Sequence, residues 1–297
     1  MSRVAVIEAP STLGLRPSGV ERLPESLRQA GLIDRLHARD AGRIAPQTPY
    51  DTTRDPTTLT LNASGIALFS RTLADAVGDV LDHGEFPLVL GGDCSILLGN
   101  LLALRRRGRY GLLFLDGHAD FYSPETNLNG EAASMDLALA TGRAPEVLTN
   151  LEGRRPLVKD EDVVVLGVRD ADEQAAYGSP PLPREIRAFD LPAIRHGGVA
   201  RASREAVAHL TRRDATTGGF WIHVDADVLD DEIMPAVDYR LPGGLSWEEL
   251  SQTLHIAIES GHAVGMEVTI YNPTLDPERA GARGLARVIV DAFGMNG

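Results

Sequence analysis

Cysteine occurs once in the 297 residues, at Cys94, so no disulfide can staple the chain to itself. Positive charge is also scarce. The 29 Lys and Arg stand against 42 Asp and Glu, for a formal net charge of -13, and nucleic acids and anionic membranes are bound through the opposite excess. An acidic field suits a small cationic partner, or serves solubility alone. No apolar run reaches the roughly 18 residues a membrane helix needs. Met1 is not followed by a basic and then an apolar segment, so the expectation is a cytoplasmic protein. Nothing repeats or simplifies enough to suggest a solenoid or a long disordered stretch.

What is present is core-forming sequence, with 43% hydrophobic residues, enough for one domain over residues 1–297. Short apolar runs predict strands at Val4–Ile7, Pro87–Leu90, Leu112–Leu115, Asp162–Gly167, Ala188–Phe189, Phe220–Val224 and Ala263–Val268. Helical spacing of apolar residues falls between them, at Val20–Ala30, Asn62–His83, Ile96–Leu104, Ala132–Ala140, Ser203–Arg212, Trp247–Ile258 and Glu278–Phe293. Residues 44–62, rich in Pro, Thr and Asp, read as a loop. Arg105, Arg106 and Arg107 read as a solvated helix end, favoured by the negative end of the helix dipole. Alternation of the two element types predicts an α/β fold, a mostly parallel sheet with helices on both faces.

Chemistry gathers at the strand ends, where open α/β sheets bind ligands. The run Leu112-Leu113-Phe114-Leu115 breaks into Asp116-Gly117-His118-Ala119-Asp120, and Phe220–Val224 breaks into Asp225-Ala226-Asp227. Alternate side chains of an extended segment share a face. Carboxylates crowded in this way raise one another's pKa unless cations compensate, so one or two divalent ions are the economical explanation. Mixed Asp and His ligation suits Mn²⁺, and a pair of ions suits the activation of water. One such motif alone would read as a turn or helix cap; two, each closing a buried strand, read as metal ligands.

Taken together, these residues resemble the ureohydrolase family, the arginases and agmatinases. The resemblance covers most of the chain. Ser18-Gly19-Val20-Glu21 with Leu27–Leu32 is similar to the arginase N-terminal helix, and Gly91-Gly92-Asp93 to the family's GGDHS motif. Asp116–Asp120 resembles DAHxD, and His223–Asp230 the second aspartate motif; Pro242–Ser246 and Met266-Glu267-Val268 complete the set. The resemblance implies a three-layer α/β/α fold on a mostly parallel eight-stranded sheet, with two Mn²⁺ at the strand ends. Asp116 and Asp225 would bridge the ions, His118 and Asp227 would complete one, and Asp120 with Cys94 the other. Water activated by the pair would attack a guanidinium carbon and release urea or a substituted urea. Asp120 would relay the proton, and Glu267 would pair with the guanidinium. The family usually forms trimers or hexamers, so a homo-oligomer is implied.

Two departures stand out. The family has histidine where this chain has Cys94, whose thiolate would be a softer, anionic ligand that makes bound water less acidic and changes the preferred metal. Alternatively, Cys94 is a small buried residue that leaves one site weak. Arginases place a proton-shuttling histidine where this chain has Asn129, and an amide cannot shuttle protons near neutral pH. Asp172 is similar to the aspartate that meets the substrate's α-amino group, with helix capping as the alternative. Asn127 and Tyr122 fall in the loop where arginases hold the α-carboxylate. The leading expectation is a guanidino C–N hydrolase acting on an arginine-like or N-substituted guanidino compound. A metal-poor binding protein and a deacetylase-type amide hydrolase are the alternatives.

Overall fold

The protein is described here by a computed structural model covering residues 2–212 and 218–295. The apolar runs form parallel strands at Val4–Ala9 (β1), Phe86–Gly91 (β3), Gly111–Leu115 (β4), Val163–Leu166 (β5), Arg187–Phe189 (β6), Phe220–Asp225 (β7) and Ala263–Thr269 (β8). Arg39–Arg43 supplies the eighth, β2. The sheet order is β2-β1-β3-β8-β7-β4-β5-β6, with every pairing parallel.

Strand β2 carried no signal because it lies at the sheet's edge. Its sequence, Arg-Asp-Ala-Gly-Arg, is polar throughout and partly exposed, and charge on an edge discourages pairing with a further chain. Arg39 Nε donates to Glu85 Oε2 at 2.8 Å, and Arg28 Nη2 reaches Asp40 Oδ2 at 2.9 Å. Polar contacts, not burial, keep this strand in place.

The inner strands are apolar on both faces because both are covered. In β7, Phe220, Ile222 and Val224 enter one core while Trp221 enters the other. In β4, Leu113 and Leu115 point to the first core, Leu112 and Phe114 to the second. Helices Leu23–Gln29 (α1), Val199–Leu210 (α4), Trp247–Glu259 (α5) and Ala280–Ala292 (α6) cover the first face. Ala63–Asp82 (α2) and Leu97–Arg107 (α3) cover the second. Ser246 starts α5 with a capping box: its Oγ accepts from the Glu249 N–H, and the Glu249 carboxylate accepts from the Ser246 N–H.

The arginine cluster at the end of α3 is more engaged than a solvated helix end. Arg106 donates to Asp75 and Glu152, Arg107 to Asp82 and the Gly78 carbonyl, and Arg105 to the Pro156 carbonyl. These bonds tie α3 to α2 and to the following loops. No helix among the described residues is long and apolar enough to cross a membrane.

Because all strands run one way, their C-terminal ends meet at one rim. The central order β3-β8-β7-β4 therefore sets the segments after Gly91, Thr269, Asp225 and Leu115 side by side. The turn after β3 is held against the segment after β1: Asp93 N–H donates to the Ser11 carbonyl at 3.0 Å, and a Cβ on Gly92 would stand 1.8 Å from that oxygen. Only glycine allows this approach, which delivers Cys94 to the rim. Gly92→Ala is therefore expected to cost about 3 kcal/mol or more through backbone displacement. Thermal unfolding should record a melting temperature lower by at least roughly 5 °C, and an unchanged value would show that the turn is free to shift.

Candidate metal centre

Each expected ligand sits where a strand stops. Asp116 follows β4 and Asp225 ends β7, and in both cases the carboxylate accepts a hydrogen bond from the amide two residues on: His118 N–H to Asp116 Oδ1 at 2.6 Å, and Asp227 N–H to Asp225 Oδ1 at 2.7 Å. The i, i+2 spacing thus curls each segment around its first carboxylate. The two turns then lock together, since Gly117 N–H donates to Asp227 Oδ1 at 2.9 Å and Asp227 Oδ2 lies 2.8 Å from His118 Nδ1.

A donor from each of Asp116, His118 and Asp227 falls within 4.8 Å of the others, and so does one from each of Asp116, His223 and Asp225. Asp116, Asp225, Asp227 and Asp120 are 0, 2, 4 and 8% exposed. Burial of so many carboxylates disfavours their charge. Burial and then Asp227 push the Asp116 carboxyl up to about 7. Burial and then Asp227 lift Asp225, and burial and then Asp116 lift Asp120. Burial also opposes the charge on His118, but Asp227 and Asp116 overrule it and hold the imidazolium well above its ordinary range. Asp227 is the exception: burial would raise it, yet His118 brings it down to about 2. Asp116 Oδ2 and His223 Nε2 have no hydrogen-bond partner. Oxygen and imidazole donors converging with unsatisfied acceptors among them fit divalent cations.

Arg169 braces the outside of this arrangement. Its Nη2 donates to the carbonyls of Asp227, Leu229 and Leu241 at 2.8, 3.1 and 3.1 Å, while its own N–H donates to the Gly117 carbonyl at 2.8 Å. A Cβ on Gly117 would come within 2.4 Å of that guanidinium, so glycine makes room for the brace. Asp170 adds a second tie, accepting from Ala119 N–H at 3.2 Å and Gln174 Nε2 at 2.7 Å. Arg169 and Asp170 precede Asp172 in the segment expected to recognise substrate, and the structure gives them this bracing contact with the ligand turns.

The centre forms the floor of a cavity of about 300 Å³. Cys94, His118, Asp120, Asp225 and Asp227 line its base, and Tyr122, Asn127, Asn129, Glu173 and Tyr239 its walls. Cys94 Sγ donates to Asp225 Oδ2 at 2.9 Å and to Thr269 Oγ1 at 3.2 Å. Burial and then Asp225 push this thiol up, so without a cation it keeps its proton.

Three expected site residues stand apart from the cavity or from the metal-donor groups. Glu267 does not reach the cavity. It is fully buried in β8, its Oε1 2.8 Å from His223 Nδ1 and its other oxygen bonded to Asn100. Ile270, three residues on and with φ 68, faces the cavity instead. Asp172 is exposed on the helix Ala171–Tyr177 and neither lines the cavity nor caps the helix; Glu173 lines it. One residue along a helix is a turn of about 100°, so the wrong neighbour is the wrong face. Asp120 lines the cavity but joins none of the three-donor groups among the described residues.

Asn127 and Asn129 do line the cavity, and both also hold its wall. Asn127 Nδ2 donates to the Glu131 carbonyl at 2.6 Å. Asn129 Nδ2 donates to Glu131 Oε2 at 2.6 Å and to the Tyr239 hydroxyl at 3.2 Å, while its Oδ1 accepts from Glu131 N–H at 3.0 Å. Asp136 was not among the expected site residues, though a lone carboxylate in an apolar helical stretch is a signal, because its burial is costly without a partner.

Comparison with known proteins agrees with this geometry. The family model described as "Arginase family" matches residues 2–294. Arginase from Brevibacillus brevis is 32% identical over 98% of this chain and 97% of its own length. The native structure of arginase from Bacillus caldovelox superposes with a TM-score of 0.87 at 29% identity, covering 99% of each chain. The agmatine ureohydrolase of Thermoplasma volcanium shares the fold, with a TM-score of 0.70 at 19% identity over 99% of this chain and 90% of that one. With its eight-stranded parallel sheet and its aspartate-rich rim, the chain belongs to the arginase family of ureohydrolases.

Proposed function

We propose that this protein is a divalent-metal-dependent amidinohydrolase that splits a guanidino C–N bond in a small cationic compound, releasing urea or a substituted urea and an amine. The observation that carries this reading is that buried Asp116 converges with His118 and Asp227 in one group and with Asp225 in another, while His118, Asp225 and Asp227 line the cavity. A pair of bound ions would supply water activation and charge stabilisation at neutral pH. Asp116, His118 and Asp227 would hold one ion, with Asp225 alongside, and this oxygen-rich set suits Mn²⁺.

The remaining residues have work the geometry allows. Asp120 lines the cavity with its carboxyl raised by burial, so it is placed to take the proton of the attacking water and return it to the leaving nitrogen. That return is needed because the amine leaves only with a proton. Asn129 does not serve this purpose, since both ends of its amide are engaged with Glu131. Glu173 replaces Asp172 as the acidic wall group, suited to an amino group on the substrate's far end. No Arg or Lys lines the cavity among the described residues, so a substrate carboxylate would rely on hydroxyls and amides. This favours a guanidino compound whose net charge is positive. An oligomeric assembly is proposed from family likeness alone.

Mn²⁺-loaded protein should release urea or a substituted urea from at least one of arginine, agmatine, N-hydroxyarginine and canavanine. Silence across that panel from about pH 7 to about pH 10 would sink the reading. Asp227→Asn should lower turnover at least roughly 100-fold. Glu173→Gln should raise KM roughly tenfold for amine-bearing substrates with little change in kcat.

Metal-free protein should also show a definite pH dependence. Carboxyls raised in the fold, Asp116 to about 7, contribute stability at low pH that is lost as pH rises through the folded value. His118, raised as well, acts in the same sense. The melting temperature without metal should therefore fall as pH rises through about 7, and the gain on adding Mn²⁺ should grow over the same interval. Equal melting temperatures at about pH 6 and pH 8 would show that these groups are not crowded as described.

A further inference from the structure

Beside the donors of the candidate metal centre lies a further set, of which the reading above leaves Cys94 and Asp136 unused. Cys94, Asp136 and His223 each place one ligand atom within 4.8 Å of the other two. They come from three separate elements: the turn after β3, the first residue of the short helix Asp136–Ala140, and the middle of β7. Asp136 and His223 are 0% exposed and Cys94 is 1% exposed. Phe114 stacks on the His223 ring at 4.5 Å and 12°, fixing its plane. Nδ1 of that ring is already taken by Glu267 at 2.8 Å, which leaves Nε2 as the free donor atom.

The free atoms are what make this more than a polar patch. His223 Nε2, both carboxylate oxygens of Asp136, and Asp116 Oδ2 are buried without a well-formed hydrogen bond; the Leu137 amide gives Asp136 only partial relief. His223 Nε2 lies 3.9 Å from Asp116 Oδ2. Roughly nine in ten buried polar groups in proteins are paired, so this concentration calls for a common partner. A divalent cation would satisfy the carboxylate and the imidazole nitrogen together and, once the thiol gives up its proton, the Cys94 sulfur as well. A carboxylate on the far nitrogen of a ligating histidine is the usual way its orientation and basicity are set, and Glu267 supplies it, bonded in turn to Asn100.

We propose that Cys94, Asp136 and His223 form a divalent-cation site of their own that takes a thiolate-preferring ion, of which Zn²⁺ is the type, with Asp116 as the wall it shares with the outer group. Sulfur, nitrogen and oxygen donors in a closed set of three, with a fourth place for an Asp116 oxygen, match the tetrahedral preference of Zn²⁺ and suit Mn²⁺ poorly. On binding, the Sγ–H bond breaks, the proton passes to solvent and the metal–sulfur bond forms. The ligand set differs from the one the family resemblance implies beside Cys94, because Asp136 and His223 stand in place of Asp120. Glu267, displaced from substrate recognition, becomes the group that orients His223. The proposal rests on the metal-dependent reading above in that Asp116 borders both groups and that His223, a member of the Asp116–His223–Asp225 group, here serves the inner ion.

Full-length protein stripped with chelator and titrated with Co²⁺ near neutral pH tests this directly. A thiolate-to-Co²⁺ charge-transfer absorption should grow to one equivalent, vanish in Cys94→Ser, and need roughly tenfold more Co²⁺ or worse in Asp136→Asn and His223→Gln. It should persist in Asp227→Asn, which alters only the outer group. Zn²⁺ should displace the absorbing ion and Mn²⁺ should not. Zn-edge X-ray absorption of the wild type should show a sulfur neighbour at about 2.3 Å, a readout that needs no variant to fold. A band that survives Asp136→Asn and His223→Gln but is lost in Asp120→Asn would overturn the proposal in favour of the implied set. Binding of Mn²⁺ with no sulfur signal from any ion would overturn it as well, while leaving the outer group and the amidinohydrolase reading intact.

Discussion

Buried negative charge is the constraint to which the rest of this structure responds. Asp116, Asp225 and Asp227 converge at neighbouring strand ends with almost no exposure, and Asp227, itself kept charged by His118, raises the cost of ionising Asp116 and Asp225. Three backbone N–H groups, of His118, Asp227 and Gly117, point at these carboxylates. His118 adds an imidazolium against Asp227. That is enough to fix the carboxylates in space but not to neutralise them, which is why the shell is suited to divalent ions.

The geometry around this charge is held by groups that never touch it. Parallel strand order sets the four segments beside one another, and Gly92 and Gly117 allow backbone and guanidinium to approach where any side chain would intrude. Arg169 spends its donors on carbonyls of three loop residues and keeps the two ligand turns in register. A brace of this kind gives no direct chemistry. It supplies the fixed spacing that ligands and substrate need.

Periodicity made most of the fold legible. Six strands announced themselves as apolar runs, because a strand buried on both faces must be apolar along its length, and β6, at the other edge, showed only through Ala188 and Phe189. The eighth, Arg39–Arg43, did not, since an edge strand held by Arg28, Arg39 and Glu85 has no such obligation. The site divides similarly. Asp116, His118, Asp225 and Asp227 could be read directly, because two ligands two residues apart at the end of a buried run carry their own spacing. That Glu173 and not its neighbour Asp172 lines the cavity, and that Glu267 turns to His223 and Asn100 within β8, leaves no trace in the local pattern.

By itself, then, the sequence determined the class of fold, the rim on which chemistry gathers and the local pairs of ligands, all of which depend on neighbours within a few residues. Tertiary structure alone decided which pairs face each other, that Glu173 and Ile270 line the cavity, and that Cys94, Asp136 and His223 meet beneath it. The physical reason is distance along the chain. Cys94, Asp136 and His223 lie on separate elements, and only the order in which β3, β8, β7 and β4 pack, with the helix Asp136–Ala140 set against α3, brings a thiol, a carboxylate and an imidazole to one point.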